Sequence, residues 1–304
     1  MMKVQNVTTT KNAVIKEIPE GTKKAGIFVL EVLAIILVLI FLFPFFLVVI
    51  NSAKESASII ISPIALPERW GQMFTNMNNV IHNRNFNYWK SFFNSIFITI
   101  ASLTLLSLFS SMAAWVLVRN KTKWSNFIFM TLVAAMIIPF QVVMLPLLST
   151  FRELSDFTGI RMLNSYKGLI FAYLGFGGSM SVFIFHGFIK AIPYELEEAA
   201  LIDGCTPEST FFRILFPLLK PIQVTVLILN GVWIWNDFLL PSLMLGLNGK
   251  IKTLPIAVTS FVGSYVKQWD LILTAAFLAM LPIIVLFIFA QKQIIRGMVE
   301  GAIK

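Results

Sequence analysis

The run GIFVLEVLAIILVLIFLFPFFLVVI, ending at Ile50, holds a single charged residue, Glu31, in 25 positions. A helix rises roughly 1.5 Å per residue, so about 20 apolar residues cross the hydrocarbon of a bilayer. Five further apolar stretches follow, and the expected spans are 27–50, 92–118, 124–150, 168–190, 218–241 and 271–291. Apolar/polar alternation over about ten residues, the mark of a membrane barrel, is absent. With 57% hydrophobic residues, 13% charged and a mean hydropathy of +0.82, the chain reads as an all-α integral membrane protein with six transmembrane helices. A signal peptide has an apolar core of about 7–15 residues, shorter than the first run, so an uncleaved anchor behind a polar tail, 1–26, is expected.

Sidedness follows from Lys and Arg near the span ends. Six spans put both termini on one side, which then carries 14 basic residues, among them Lys23, Lys24, Arg119, Lys121, Lys123, Lys190 and Arg213, against 10 on the other. The tail 1–26, the segment between the fourth and fifth spans, and the tail 292–304 are therefore expected in the cytoplasm, the segment 51–91 outside. The net charge of +9 is accounted for by topology, with no separate soluble domain to bind nucleic acid. The segment 51–91, with SPIALPERW and NNVIHNRNFNYW, reads as an irregular loop whose Trp70 and Trp89 rest at the interface or meet something outside. Cys205 is the single cysteine, which excludes an intramolecular disulfide.

The stretch YELEEAALIDGCTPESTFFRILFPLLKP (194–221) holds five acidic residues between two spans. It parses as helix-turn-helix. Pro193 suits a first helical position, and Glu195, Glu197 and Glu198 suit the positive end of the macrodipole. Gly204 reads as a left-handed cap, Thr206 as the N-cap of a second helix opened by Pro207 and Glu208. Ala199 and Ala200 leave a bare flank, and Phe211, Phe212, Ile214, Leu215 and Phe216 make the second helix too apolar for free solvation. This shape fits either a docking surface or an amphipathic connector in the headgroups; three glutamates beside an anionic leaflet weigh against the connector.

The spacing Glu198-Ala199-Ala200, three residues, Gly204, nine residues, Ile214, one residue, Phe216-Pro217 resembles the EAA loop of ABC importer permeases, with Phe216 where Leu is usual. IIPFQVVMLPLL (137–148), LNSYKGLIFAY (163–173), IWNDFLLPSLM (234–244) and QKQIIRGMVEGAIK (291–304) are similar to maltose-type carbohydrate permeases, particularly the smaller of their paired membrane subunits. The resemblance implies that 194–217 is a cytoplasmic coupling loop, with Glu197, Glu198, Ala199, Ala200, Asp203, Gly204, Ile214 and Pro217 as its ATPase-coupling residues. It implies three kinds of partner besides lipid: a second, homologous permease forming a heterodimer, two cytoplasmic ATP-binding subunits, and an extracellular solute-binding protein. The chain itself is then a non-catalytic permease of a bacterial cell membrane. It binds no cofactor, and ATP and Mg are expected on the partner ATPases. Closure of the ATPases on ATP would push through 194–217 to turn the cavity outward, and hydrolysis would reset it.

The residues agree with an external energy source. No stretch matches G-x-x-x-x-G-K-[ST], and two histidines, His82 and His186, are too few and too far apart to suggest a zinc site. For the path, polar groups inside spans are the candidates, since a centrally placed charge in lipid costs about 2.5–3.5 kcal/mol. The fifth span supplies Asn230, about 18 Å from its start, then Trp233, Trp235, Asn236 and Asp237 nearer the outer face. Amides and carboxylates bond sugar hydroxyls and indoles stack on pyranose rings, but the tryptophans also fit an aromatic belt and Asn230 a helix-helix bond. Asn94, Gln141 and Gln223 fit interhelical bonding, His186 packing, Gly175, Gly177 and Gly178 tight packing or a break, and Pro139, Pro146 and Pro282 kinks. Two alternatives stand beside sugar import: a non-sugar solute, or an ion-coupled carrier, for which no inverted repeat is visible.

Overall fold

The structure is a computed structural model that describes residues 20–262 and 267–302, with side chains from 27 onward, to 289, and at 291. Among these residues the fold is all-α. In chain order the helices are α1 (Glu20–Ser52), α2 (Ser56–Ile61), α3 (Gln72–Ile81), α4 (Tyr88–Arg119), α5 (Lys123–Ala135), α6 (Phe140–Thr158), α7 (Tyr166–Ile189), α8 (Glu195–Ile202), α9 (Pro207–Thr210), α10 (Phe216–Leu218), α11 (Lys220–Asn236), α12 (Leu239–Leu245), α13 (Leu254–Val258) and α14 (Trp269–Ala302). A π-helical turn, Phe211–Leu215, joins α9 to α10.

Four helices are by themselves long and apolar enough to cross a membrane: Ile27–Ser52 of α1, α4, α7, and Trp269–Phe289 of α14. Two bent pairs bring the candidate spans to six, giving a multi-pass helical bundle. The first pair is α5 and α6, which meet at 110°. Pro139 breaks the expected span 124–150 into two helices. Its ring removes a backbone donor and favours extended backbone before it, so the chain turns at 136–139 and restarts with Pro139 as the N-cap of α6. The second pair, Pro207–Leu218 and α11, meets at 74°, and α11 stops at Asn236, five residues short of the expected span end. α14 continues as one helix through the expected boundary at 291 to Ala302. The tail residues 1–19, with Lys3, Lys11 and Lys16, and the pair 303–304 lie outside the described residues.

The chain divides into two units, 1–47 and 48–304. In the first, every residue from 27 to 46 is exposed, and a helix apolar all round is what a lipid-facing span requires. Glu31 sits in this stretch, near its start.

In the second unit the segment 51–91 is more ordered than the irregular loop expected. It contains α2 and α3, and buried Asn76 of α3 donates from Nδ2 to Ser52 O at 3.0 Å and to Lys54 O at 2.9 Å. Thr274 of α14 donates to Ser52 O as well, at 3.2 Å. These side chains satisfy carbonyls that a helix end leaves open. Lys54, also buried, donates from Nζ to Asn51 Oδ1 and Ser62 O, both at 2.9 Å. Trp70 and Trp89 remain exposed.

The bundle centre is the junction of α4, α7 and α11. A Cβ on Gly177 would lie 2.8 Å from Asn230 Oδ1 and 3.0 Å from Leu106 Cδ1, so only glycine lets the three helices approach this closely. Of the three glycines on α7, Gly175 and Gly178 face open space and α7 is unbroken through all of them. Tight packing at Gly177 is the outcome. Asn94 of α4 ties α7 and the 246–253 loop together, accepting from Tyr166 OH at 2.6 Å and donating to Lys252 O at 2.9 Å.

Candidate functional site

The stretch 194–221 folds into a capped helix-turn-helix, with one departure from the expectation: Pro193 lies outside α8, before its N-cap, and not in the first helical position. α8 starts two residues after Pro193, with Tyr194 at its N-cap and Glu195, Glu197 and Glu198 in its first turn. It ends in a Schellman arrangement: Cys205 N–H donates to Ala200 O at 2.9 Å and Gly204 N–H to Leu201 O at 3.1 Å, with Gly204 at φ +84°. Thr206 then caps the next helix, its hydroxyl oxygen accepting from Ser209 N–H at 3.3 Å. The Glu208 carboxyl is held below its usual range by its own backbone N–H and the Thr206 hydroxyl.

The second helix is not a plain α-helix. Pro217 has no N–H to return to Arg213, and the turn before it widens, so that Phe216 N–H reaches Phe211 O. Phe211, Leu215 and Leu219 are buried against Ala114, Phe185, Ile189 and Val226, which seats this helix on α4, α7 and α11. Gln223 donates to Phe216 O at 3.0 Å and closes the bend into α11.

The adjacent Glu197 and Glu198 separate. Glu197 is 4% exposed and points inward. Its Oε1 accepts from Arg119 Nε at 2.8 Å and its Oε2 from Trp115 Nε1 at 2.9 Å. Arg119 also donates to Ile192 O at 3.2 Å and lies over the Tyr194 ring. Glu198, Ala199, Asp203 and Gly204 are exposed, Ala200 is buried, Ile214 is half-buried and Pro217 exposed. Leu196, Leu201, Ile202 and Phe212 add exposed apolar area on the same segment, Ile202 at 85%. Trp115 was legible only as part of the last turn of a span and Arg119 only as a basic residue just beyond it; their i, i+4 spacing on one helix face is the signal that pairs them with a carboxylate.

The polar residues around the fifth span do not form one site. Asn230 is 3% exposed and donates to Ser181 Oγ at 3.1 Å and to Val226 O at 2.9 Å, the helix-helix alternative. Trp235 is buried and donates to Ala279 O at 3.2 Å across to α14. Asp237 sits at the break after α11, where its Oδ1 accepts from Leu239 N–H at 3.0 Å to start α12 and its Oδ2 accepts from Tyr173 OH at 3.1 Å. Trp233, 40% exposed, meets Tyr173 edge to face at 5.4 Å, and Asn236 is exposed one turn on. His186 stacks on Phe129 at 3.8 Å, as a packed residue does. Among the described residues no group of three or more His, Cys, Asp or Glu is placed to hold a metal ion.

The fold is similar, with a TM-score of 0.75 at 19% identity over 89% of this chain and 97% of the other, to a chain in the crystal structure of a bacterial ABC transporter involved in the import of the acidic polysaccharide alginate. In sequence the chain is 38% identical, over 91% of its length and 97% of the relative's, to the probable starch degradation products transport system permease protein AmyC of Thermoanaerobacterium thermosulfurigenes. It is 40% identical, over 71% of its length and 76% of the relative's, to the melibiose/raffinose/stachyose import permease protein MelC of Bacillus subtilis. Residues 105–300 match the family of binding-protein-dependent transport system inner membrane components, and the chain belongs to that family.

Proposed function

We propose that the chain is the permease subunit of an ATP-driven ABC importer for a sugar or oligosaccharide, and that 194–217 couples it to a separate ATPase. The observation that carries the coupling is the division of the two glutamates. One side of α8 is tied to α4 through Glu197 and Arg119, and the other presents Glu198, Ala199 and Ile202 to a partner. A segment fastened in this way passes a push on its exposed side directly to a span. The sugar assignment is supported by relatives named for starch products and for melibiose, raffinose and stachyose. The orientation, with both termini cytoplasmic, rests on the positive-charge bias.

Half of the translocation path belongs to this chain and half to a homologous second permease, with two ATPases below and a solute-binding protein outside. ATP and Mg act on the ATPases. Within this chain Trp233 and Asn236 are exposed to meet a sugar, the indole for stacking and the amide oxygen for hydroxyls, its Nδ2 donating to Val232 O, while Tyr173, bonded to Asp237, packs against the indole. The test is reconstitution: uptake of labelled oligosaccharide is expected with ATP only when the ATPase and binding protein are both present. Uptake driven by an ion gradient with this chain alone overturns the reading.

A further inference from the structure

A cavity of about 950 Å³ opens where α4 ends, α5 begins and α7 ends, beside Tyr194 of the coupling segment. Its polar wall holds Lys121, Lys190, His186 and Asn126, its apolar wall Phe129 and Met130. No carboxylate lines it. Arg119 also borders it, but this guanidinium is neutralised by Glu197. Lys121 and Lys190 are exposed, and among the described residues the Arg119–Glu197 pair is the one salt bridge. The wall is therefore a net positive concavity whose two lysines lack an acid, next to apolar side chains of spans.

We infer that this cavity binds the phosphate headgroup of an anionic phospholipid, Lys121 and Lys190 taking the phosphate and Phe129 and Met130 the upper acyl chain. The place decides the source. Lysines at the end of a span lie at headgroup depth, where a basic pocket between helices meets anionic lipid, and the apolar wall serves a lipid where a free anion has no use for it. Occupancy would be felt by the coupling segment, since Arg119 forms part of the cavity wall and clamps α8 through Glu197 and Ile192. The leaflet named here, the cytoplasmic one, rests on the orientation proposed above; the site itself does not.

The full chain, purified alone from vesicles of equal phosphatidylcholine and phosphatidylglycerol, is expected to retain phosphatidylglycerol preferentially. In the Lys121→Gln/Lys190→Gln variant that preference should fall by about 30-fold, two lysines at about fivefold each. An Arg161→Gln/Lys250→Gln variant removes equal charge elsewhere and should retain the preference. Equal retention by all three proteins, or equal loss in both variants, overturns the site. Binding of inorganic phosphate in purely zwitterionic nanodiscs, lost in the Lys121→Gln/Lys190→Gln variant, makes the occupant a free anion and overturns the lipid assignment. Loss of the retained lipid when the ATPase is added makes the cavity part of that protein interface and overturns it too. Both leaflets are exposed and no ATPase is needed, so failure of the coupling proposal at Glu198 leaves this measurement standing.

Discussion

Arg119 Nη2 lies 2.7 Å from Glu197 Oε1, joining the last turn of α4 to the first turn of α8 across 78 residues of chain. Removing one member strands the other charge in a largely buried place. Glu197→Ala should lower stability by about 3 kcal/mol, seen as a fall in the thermal unfolding midpoint. Coupling should suffer beyond the stability loss: ATPase copurification persists while uptake per ATP hydrolysed drops. A double-mutant cycle with Arg119→Ala should return an interaction of about 1–3 kcal/mol; additive effects would show that the pair is not a mechanical link.

Glu198 is the opposite case, exposed and outside the Glu197 clamp. Glu198→Lys should insert and unfold like the parent yet lose ATPase copurification and uptake. Normal values of both would remove the coupling assignment.

Gly177 and Asn230 should report on packing. Gly177→Ala forces a methyl to within 2.8 Å of Asn230 Oδ1, an overpacking cost of about 1–3 kcal/mol. Asn230→Ala should also destabilise, by loss of the Ser181 bond, and the KM for uptake should not move in either. A raised KM with unchanged stability in Asn230→Ala would return it to the substrate path.

Trp233 and Trp235 separate the two uses of an indole. Trp233→Ala should raise the KM for uptake several-fold with less loss of stability than at Trp235, because Trp233 is 40% exposed. Trp235→Ala removes a buried ring and its bond to Ala279 O and should cost about 3–5 kcal/mol. Reversal of this pattern in uptake and melting assays would move the sugar-facing role to the buried residue.

Asp237→Asn keeps an oxygen to accept from Leu239 N–H and a side chain within reach of Tyr173 OH. It should therefore preserve the break after α11, whereas Asp237→Ala should destabilise by about 1 kcal/mol as a lost cap does. Equal melting of the two variants would show that the cap contributes nothing.

Local chemistry is written in adjacent residues, and there the sequence was sufficient. The apolar runs marked the candidate spans because lipid leaves no other use for them. Gly204, Thr206 and Pro207 marked the turn between two short helices because each acts on backbone within a few residues. Which way a side chain faces is a different matter. Glu197 and Glu198 are neighbours of one type, yet only the position of Arg119, set by how α4 packs on α7, turns one inward and leaves the other out. Asn230 was legible as a polar residue at mid-span; that it bonds Ser181 across from Gly177 depends on a contact between segments 49 residues apart. The 110° turn at 136–139 joins both kinds. Pro139 forbids a straight helix locally, but the direction of α6 is decided by the core it must meet.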